Sequence, residues 1–173
     1  MVDKILVTYA SRTGVTAGVA EAIGKTMTDM GLPTEVRSMK EVTDMSPYRA
    51  VIAGIAIQSA KWLPEAMQFL QTHRPALAAK PFAAFLVCMT LAMRNGEKYR
   101  DGVSAWLAPV REIVHPMHEG LFAGALDIRK IPGWGDKLKF RLSVLFGVWR
   151  EGDHRDWPAI RAWAEEVGRG INK

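Results

Sequence analysis

Ser11-Arg12-Thr13-Gly14-Val15-Thr16 gathers three hydroxyls, a guanidinium and a glycine into six consecutive positions. The loop follows Lys4–Ala10, an apolar, β-branched run that reads as a buried strand. It precedes Val15–Met30, where Val15, Val19, Ala22, Ile23, Met27 and Met30 share one helical face and Gly31 ends the helix. A loop so placed brings backbone N–H groups and hydroxyls to the positive end of a helix, and Gly14 lets the backbone approach a ligand closely. That is chemistry for holding a phosphate. No Gly-x-x-x-x-Gly-Lys-Ser/Thr is present, which excludes a Walker loop, and Gly-x-Gly-x-x-Gly is absent, which excludes a dinucleotide loop. A monophosphate fits better than either. An ordinary Ser/Thr-rich helix cap uses the same residue types, and the loop alone leaves both readings open.

Other reactive residues form no constellation. His115 and His118 are close in sequence, but Pro116 breaks helical spacing and no Cys or carboxylate partner is evident, so no metal site is expected. His73 and His154 read as exposed. Cys88 sits in an apolar strand and reads as an inert core thiol. No Gly-x-Ser-x-Gly elbow supports a hydrolase triad. Trp157 and Trp163 are spaced for core packing, not base stacking.

The elements that must position the loop are legible as an alternation. Further strands are expected at Pro33–Met39, Arg49–Ile55, Lys80–Met89 and Glu119–Leu126. Helices are expected at Leu63–Leu70, Gly102–Ile113 (interrupted by Pro109), Trp134–Trp149 and Trp157–Ile171, the last capped by Asp156 with Pro158 in its first turn. Apolar, non-alternating strands between helices imply an α/β fold: a doubly wound five-stranded parallel sheet in a three-layer α/β/α stack. No repeat, low-complexity tract or linker divides residues 1–173, so one domain is expected, with a basic aromatic insert at about 127–150.

The 173 residues are 49% hydrophobic and 24% charged, which excludes a disordered, collagenous or coiled-coil chain. No apolar stretch approaches the roughly 20 residues of a membrane span. A lone cysteine and a strand-like start with no room for a signal peptide point to a cytoplasmic protein. The net charge is +5, and Asp127–Arg150 carries +4 of it: Arg129, Lys130, Lys137, Lys139, Arg141 and Arg150 against Asp127 and Asp136. Charge that local implies a local partner.

Tyr9-Ala-Ser-Arg-Thr-Gly-Val-Thr16 resembles the phosphate loop of flavodoxins, which bind flavin mononucleotide (FMN). The resemblance implies their strand order 2-1-3-4-5, with FMN at the switch point between strands 1 and 3. Three more stretches extend it over nearly the whole chain: Gly54–Glu65, Val87–Asn95, and Phe122-Ala-Gly-Ala-Leu126 with the basic, aromatic segment behind it. Together they resemble the menaquinone-dependent protoporphyrinogen IX dehydrogenase branch of the flavodoxin-like family. By that resemblance Ser11, Arg12, Thr13, Gly14, Val15 and Thr16 hold the phosphate. Ala56, Ile57, Gln58, Ser59, Ala60, Lys61 and Trp62 cover one face of the flavin ring. Thr90, Leu91, Ala92, Met93, Arg94 and Asn95 flank the other, and Gly124, Ala125 and Leu126 complete the site. Arg94, Arg129 and Lys130 are candidates for the carboxylates of a porphyrinogen substrate, with a quinone as electron acceptor. No catalytic side chain is assigned, because a flavin carries its own chemistry.

The chain departs from this pattern at Ser59 and Ala60, where family members often carry an aromatic residue and glycine. Trp62 is then the aromatic left to stack on the ring, and Thr90–Asn95 offers none. Lys61 and Arg94, with no acid before Glu65, would favour an anionic reduced flavin and raise its potential. In the basic segment, Trp134, Leu138, Leu142, Leu145 and Trp149 share a helical face, with Asp136, Lys139, Ser143 and Arg150 roughly opposite and Phe140, Val144 and Phe146 widening the apolar arc. Such a helix suits an interfacial membrane contact where a quinone is met, and it equally suits packing on the domain or a homo-oligomer interface. It is too apolar for a nucleic-acid surface. A flavodoxin-type electron carrier docking to redox proteins, and a flavin-free module of the same fold, are the rival readings.

Overall fold

Apolar runs without polar alternation form strands only where both faces are covered. β1 (Lys4–Tyr9), β3 (Tyr48–Gln58) and β5 (Phe82–Cys88) are such runs, and they lie side by side at the centre of the sheet. The computed structural model describes residues 4–58, 61–131 and 133–172. Its main sheet has parallel strands in the order β2-β1-β3-β5-β6, with β2 at Thr34–Ser38 and β6 at His118–Ala123. The chain therefore crosses from one side of β1 to the other between β2 and β3, and the connections leaving the carboxyl ends of β1 and β3 run to opposite faces of the sheet, leaving a crevice between them.

Alternate side chains of each strand feed two cores. Ile5 and Val7 point into one, with α1 (Val15–Asp29) and α7 (Trp157–Ile171) supplying Ile23, Met27, Ile160 and Val167. Leu6 points into the other, with α2 (Pro64–Thr72), α3 (Arg74–Ala78) and α5 (Ala108–Ile113) supplying Leu70, Leu77 and Val110. This is the expected three-layer stack. In the α1/α7 layer Phe85, Phe122 and Trp163 meet tilted or edge-on, with centroids 5.6–6.2 Å apart. Asp156 caps α7 as expected, its Oδ1 accepting from the Ala159 N–H at 3.0 Å. Trp157 and Trp163 both pack on the core.

Several boundaries differ, each for a local reason. The third strand does not stop at Ile55: it runs to Gln58 and folds back as a hairpin through β4 (Lys61–Trp62), pairing Ile57 with Trp62. The helix expected over Gly102–Ile113 is two, α4 (Arg100–Ala105) and α5, because the ring and missing N–H of Pro109 fit a first turn but not a helix interior. α3 was not anticipated; Pro75 in its first turn restarts the helix after His73. The last strand breaks at Gly124, whose N–H bonds the Cys88 carbonyl at 3.0 Å. Ala125–Leu126 then forms β7, antiparallel to β8 (Gly152–Asp153), so the 127–150 segment is an excursion from a small hairpin. His73 and His154 are half-buried, not exposed: His73 tilts against Phe69, and His154 Nε2 lies 2.9 Å from the Arg150 carbonyl.

The helix of that excursion, α6 (Trp134–Leu145), ends four residues short of Trp149, where Gly147 turns the chain at φ +72°. None of its residues is buried, and Trp134, Leu145 and Phe146 are about four-fifths exposed. Packing on the domain's own core is thereby overturned for this segment. No helix among the described residues is long and apolar enough to cross a membrane.

Candidate functional site

At the end of β1 the Ala10 N–H donates to the Gly54 carbonyl at 3.0 Å, tying the start of the loop to β3. Ser11 Oγ then accepts from the Gly14 N–H at 3.1 Å, and Gly14 turns through φ +84°, a left-handed conformation that a side chain would strain. Helix α1 begins there with no side-chain cap and no acid in its first turn. The first helical bond runs from Gly18 N–H to Gly14 O. The amides of Val15, Thr16 and Ala17 thus find no acceptor within the helix. Thr16 is buried at the same end. No side chain caps those amides, which leaves them open to an anion.

The loop floors a cleft at the carboxyl edge of the sheet. Ala56, Ile57 and Leu63 form one wall, Val87, Cys88 and Met89 another, and Gly124 and Ala125 the third. A Cβ at Gly124 would meet the Cys88 backbone and Met89 Sδ at 3.5 Å, ordinary van der Waals contact. Burial pushes the Cys88 thiol above its ordinary range, so it stays neutral near pH 7. No carboxylate and no aromatic ring lines this cleft among the described residues, and Arg12 supplies its positive charge. A second hollow shares Thr13, Val15, Met89 and Ala125 with the first and continues past Gly14 to Leu126, Asp127, Lys130, Ile131 and Arg155. An apolar slot beside an anion-binding turn can take a flat aromatic group carrying a phosphate.

The structure brings together Ser11, Arg12, Thr13, Val15, Thr16, Ala56, Ile57, Gly124 and Ala125 in the cleft, and Gly14, Leu126 and Lys130 in the second hollow. Gln58 pairs through its backbone with Lys61. Ser59 and Ala60 lie outside the described residues. Trp62 does not line the cleft: its Nε1 donates to the Trp106 carbonyl at 3.0 Å and its ring packs on the core below. Lys61, Arg94 and Asn95 are exposed and line neither hollow, so the first two act on the cleft only through solvent, which screens them. Thr90–Ala92 forms a 3₁₀ turn, Met93 follows it half-buried, and Leu91 faces a separate hollow with Glu97 and Glu119. Arg129 is held bidentately by Asp127 at 2.9 and 3.0 Å, pointing to solvent.

Leu63 and Val87–Met89, which lie in the Gly54–Glu65 and Val87–Asn95 stretches but were not among the named contacts, line the cleft, and Asp127, Ile131 and Arg155 line the second hollow without having been expected there. Val87–Met89 could have been found from the rule that ligands sit beyond the carboxyl ends of parallel strands. Arg155 carries no local signal; it reaches the loop across 140 positions.

Residues 6–146 match the model of the flavodoxin domain family. Comparison with curated proteins gives no match. Among solved structures the chain is similar to a flavodoxin from the domain Archaea, at 17% identity and TM-score 0.54, covering 98% of this chain and 99% of that one. A flavodoxin of Streptococcus pneumoniae TIGR4 gives 16% identity and TM-score 0.60 over 97% and 99%. The two-electron reduced flavodoxin of Megasphaera elsdenii gives 13% and 0.60 over 95% and 98%. At these identities the structures establish the shared fold.

Proposed function

The chain belongs to the flavodoxin domain family, and from that premise we propose that it is an FMN-binding redox protein of the protoporphyrinogen-oxidising type. The observation that carries FMN binding is the uncapped start of α1, opening with the hydroxyls of Ser11, Thr13 and Thr16 into an apolar slot. Those groups would hold the phosphate, and Ala56, Ile57, Met89 and Ala125 would hold the ring. The bound flavin supplies reversible electron transfer. The chain's own contribution is position and field: apolar walls exclude water, the Cys88 thiol adds no charge, and the absence of carboxylates among the described lining residues leaves negative charge in the slot unopposed.

Two features support a porphyrinogen donor and a quinone acceptor. The second hollow offers Lys130 beside the cleft, a cation for a carboxylated substrate. Next to it α6 exposes Trp134, Leu138, Leu142 and Leu145 among lysines and arginines, which suits the surface where a lipid-dissolved quinone is met. In the reaction the porphyrinogen gives up one electron pair and two protons at each turnover, and one quinone takes up both to become quinol. Anaerobic mixing of the FMN-loaded protein with protoporphyrinogen is expected to bleach the visible flavin bands, and a menaquinone analogue to restore them. No bleaching removes the enzyme reading.

One observation favours a plain electron carrier instead: among the described residues no side chain in the cleft is placed to accept or donate a proton at neutral pH. A carrier would show two widely separated one-electron potentials, the second very low. For α6, co-sedimentation with anionic phosphatidylglycerol vesicles is expected, at roughly 1 kcal/mol per basic residue at the surface, falling as salt rises. Trp134→Ser with Leu145→Ser should abolish it. An unchanged amount of pelleted protein would assign this face to another partner.

A further inference from the structure

Arg155 is distant from the phosphate loop in sequence and against it in space. Its Nη1 donates to the Val15 carbonyl at 3.3 Å, in the first turn of α1. Its Nε and Nη2 take the two carboxylate oxygens of Asp153 at 2.8 and 2.7 Å. The guanidinium carbon stands 4.4 Å from the centre of the Trp157 ring. The side chain also occupies the space beside Gly18, where an added Cβ would come within 2.7 Å of Nη1. Only 17% of it is exposed.

Packing alone does not account for this placement. A cation belongs at the carboxyl end of a helix, and here it sits at the amino end, where the dipole is already positive. Asp153 offsets part of the conflict, and the first turn of α1 contributes no acid. Thr13, Gly14, Val15 and Arg155 line one hollow together, so an anion on the loop would relieve the rest. Asp153 lies in β8, and β8 pairs with β7, which carries Ala125 into the cleft wall. The 127–150 excursion leaves and returns through this hairpin.

We propose that Arg155 is a positioning residue that reads the cofactor's phosphate, clasping the loaded loop to the hairpin at the base of the 127–150 segment. The inference rests on the FMN reading above. By reciprocity, if the phosphate tightens the clasp, the clasp raises affinity for the phosphate by the same factor. Riboflavin has the same ring and no phosphate, so it uses the cleft walls but not the clasp.

The test is titration of apoprotein with FMN and with riboflavin, for the wild type, R155Q and R155K, alongside limited proteolysis within 127–150. R155Q is expected to weaken FMN about tenfold or more, a typical coupling between linked sites, and to leave riboflavin within about twofold. R155K should recover part of the FMN affinity. FMN, unlike riboflavin, should slow cleavage of 127–150 in the wild type, and R155Q should lose that protection. Equal weakening of both ligands, or unchanged FMN affinity, overturns the proposal while leaving FMN binding intact. A wild type that takes up neither ligand removes the FMN reading and this inference together. Should R155Q not fold, the ratio of FMN to riboflavin affinity in R155K decides.

Discussion

Thr13→Asp is expected to weaken FMN binding about 100-fold or more while leaving the apoprotein as stable as before, or more so. Thr13 lines both hollows and immediately precedes the turn that opens α1. A carboxylate there stands against the phosphate. At about 6 Å and an effective dielectric near 20, each pair of unit charges repels by about 3 kcal/mol, and every 1.4 kcal/mol is tenfold in affinity. The same carboxylate faces amides that have no acceptor within the helix, an arrangement worth about 0.3–1 kcal/mol to the empty protein. For a chain of this size that is a rise in Tm of up to about 2–4 °C. The opposite signs are the diagnostic: a substitution that merely disturbed the loop would lower both quantities. Thr13→Asn, similar in size and neutral, should bind FMN within a few-fold of the wild type. Titration by flavin fluorescence quenching and thermal melts of the apoproteins measure the pair. FMN affinity in T13D equal to that in T13N would place the phosphate elsewhere.

How much of this was legible before the fold depended on whether the cause was local. The loop was, because Gly14 and its neighbouring hydroxyls act through backbone geometry that six residues determine among themselves. The sheet was, because apolar strands such as Phe82–Cys88 announce cover on both faces. Trp62 was misplaced because its position is decided by a partner 44 residues away, the Trp106 carbonyl, which turns the indole toward the core. Of the Val87–Asn95 stretch, Val87–Met89 makes the wall, where the strand ends, and Thr90–Asn95 lines neither hollow because the chain there coils away. Arg155 was invisible because its tie to Val15, 140 positions away, exists only once α7 has packed beside α1. The exposure of α6 was equally undecidable, since an apolar arc says that a face needs cover and not who provides it. In each case the residues that failed to declare themselves are those whose surroundings come from another element.

Gly54→Ala should be strongly destabilising. Gly54 lies in β3 opposite Phe85 of β5, and a Cβ there would fall 2.2, 2.6 and 2.8 Å from three atoms of the Phe85 ring. Alanine is ordinarily the better strand residue by about 0.5–1 kcal/mol, because glycine loses more backbone entropy. Here sterics win, because the ring has nowhere to go: Phe85 is fully buried, with Phe122 and Trp163 at 6.2 and 6.0 Å. Overpacking of this kind costs about 3 kcal/mol, a fall in Tm of roughly 6–12 °C for a chain of this length. Phe85→Leu alone should cost about 1–2 kcal/mol through lost burial. Combined with Gly54→Ala it should be less harmful than the sum, by about 1–3 kcal/mol, because the smaller side chain vacates the space the methyl needs. Denaturant melts of the two singles and the double measure that coupling; additivity within error would show that the ring is not wedged against Gly54. The consequence reaches the site, since two residues further along the same strand Ala56 forms the cleft wall. A sheet centre forced apart at Gly54 should therefore loosen FMN as well as the fold, and relief by Phe85→Leu should restore both together.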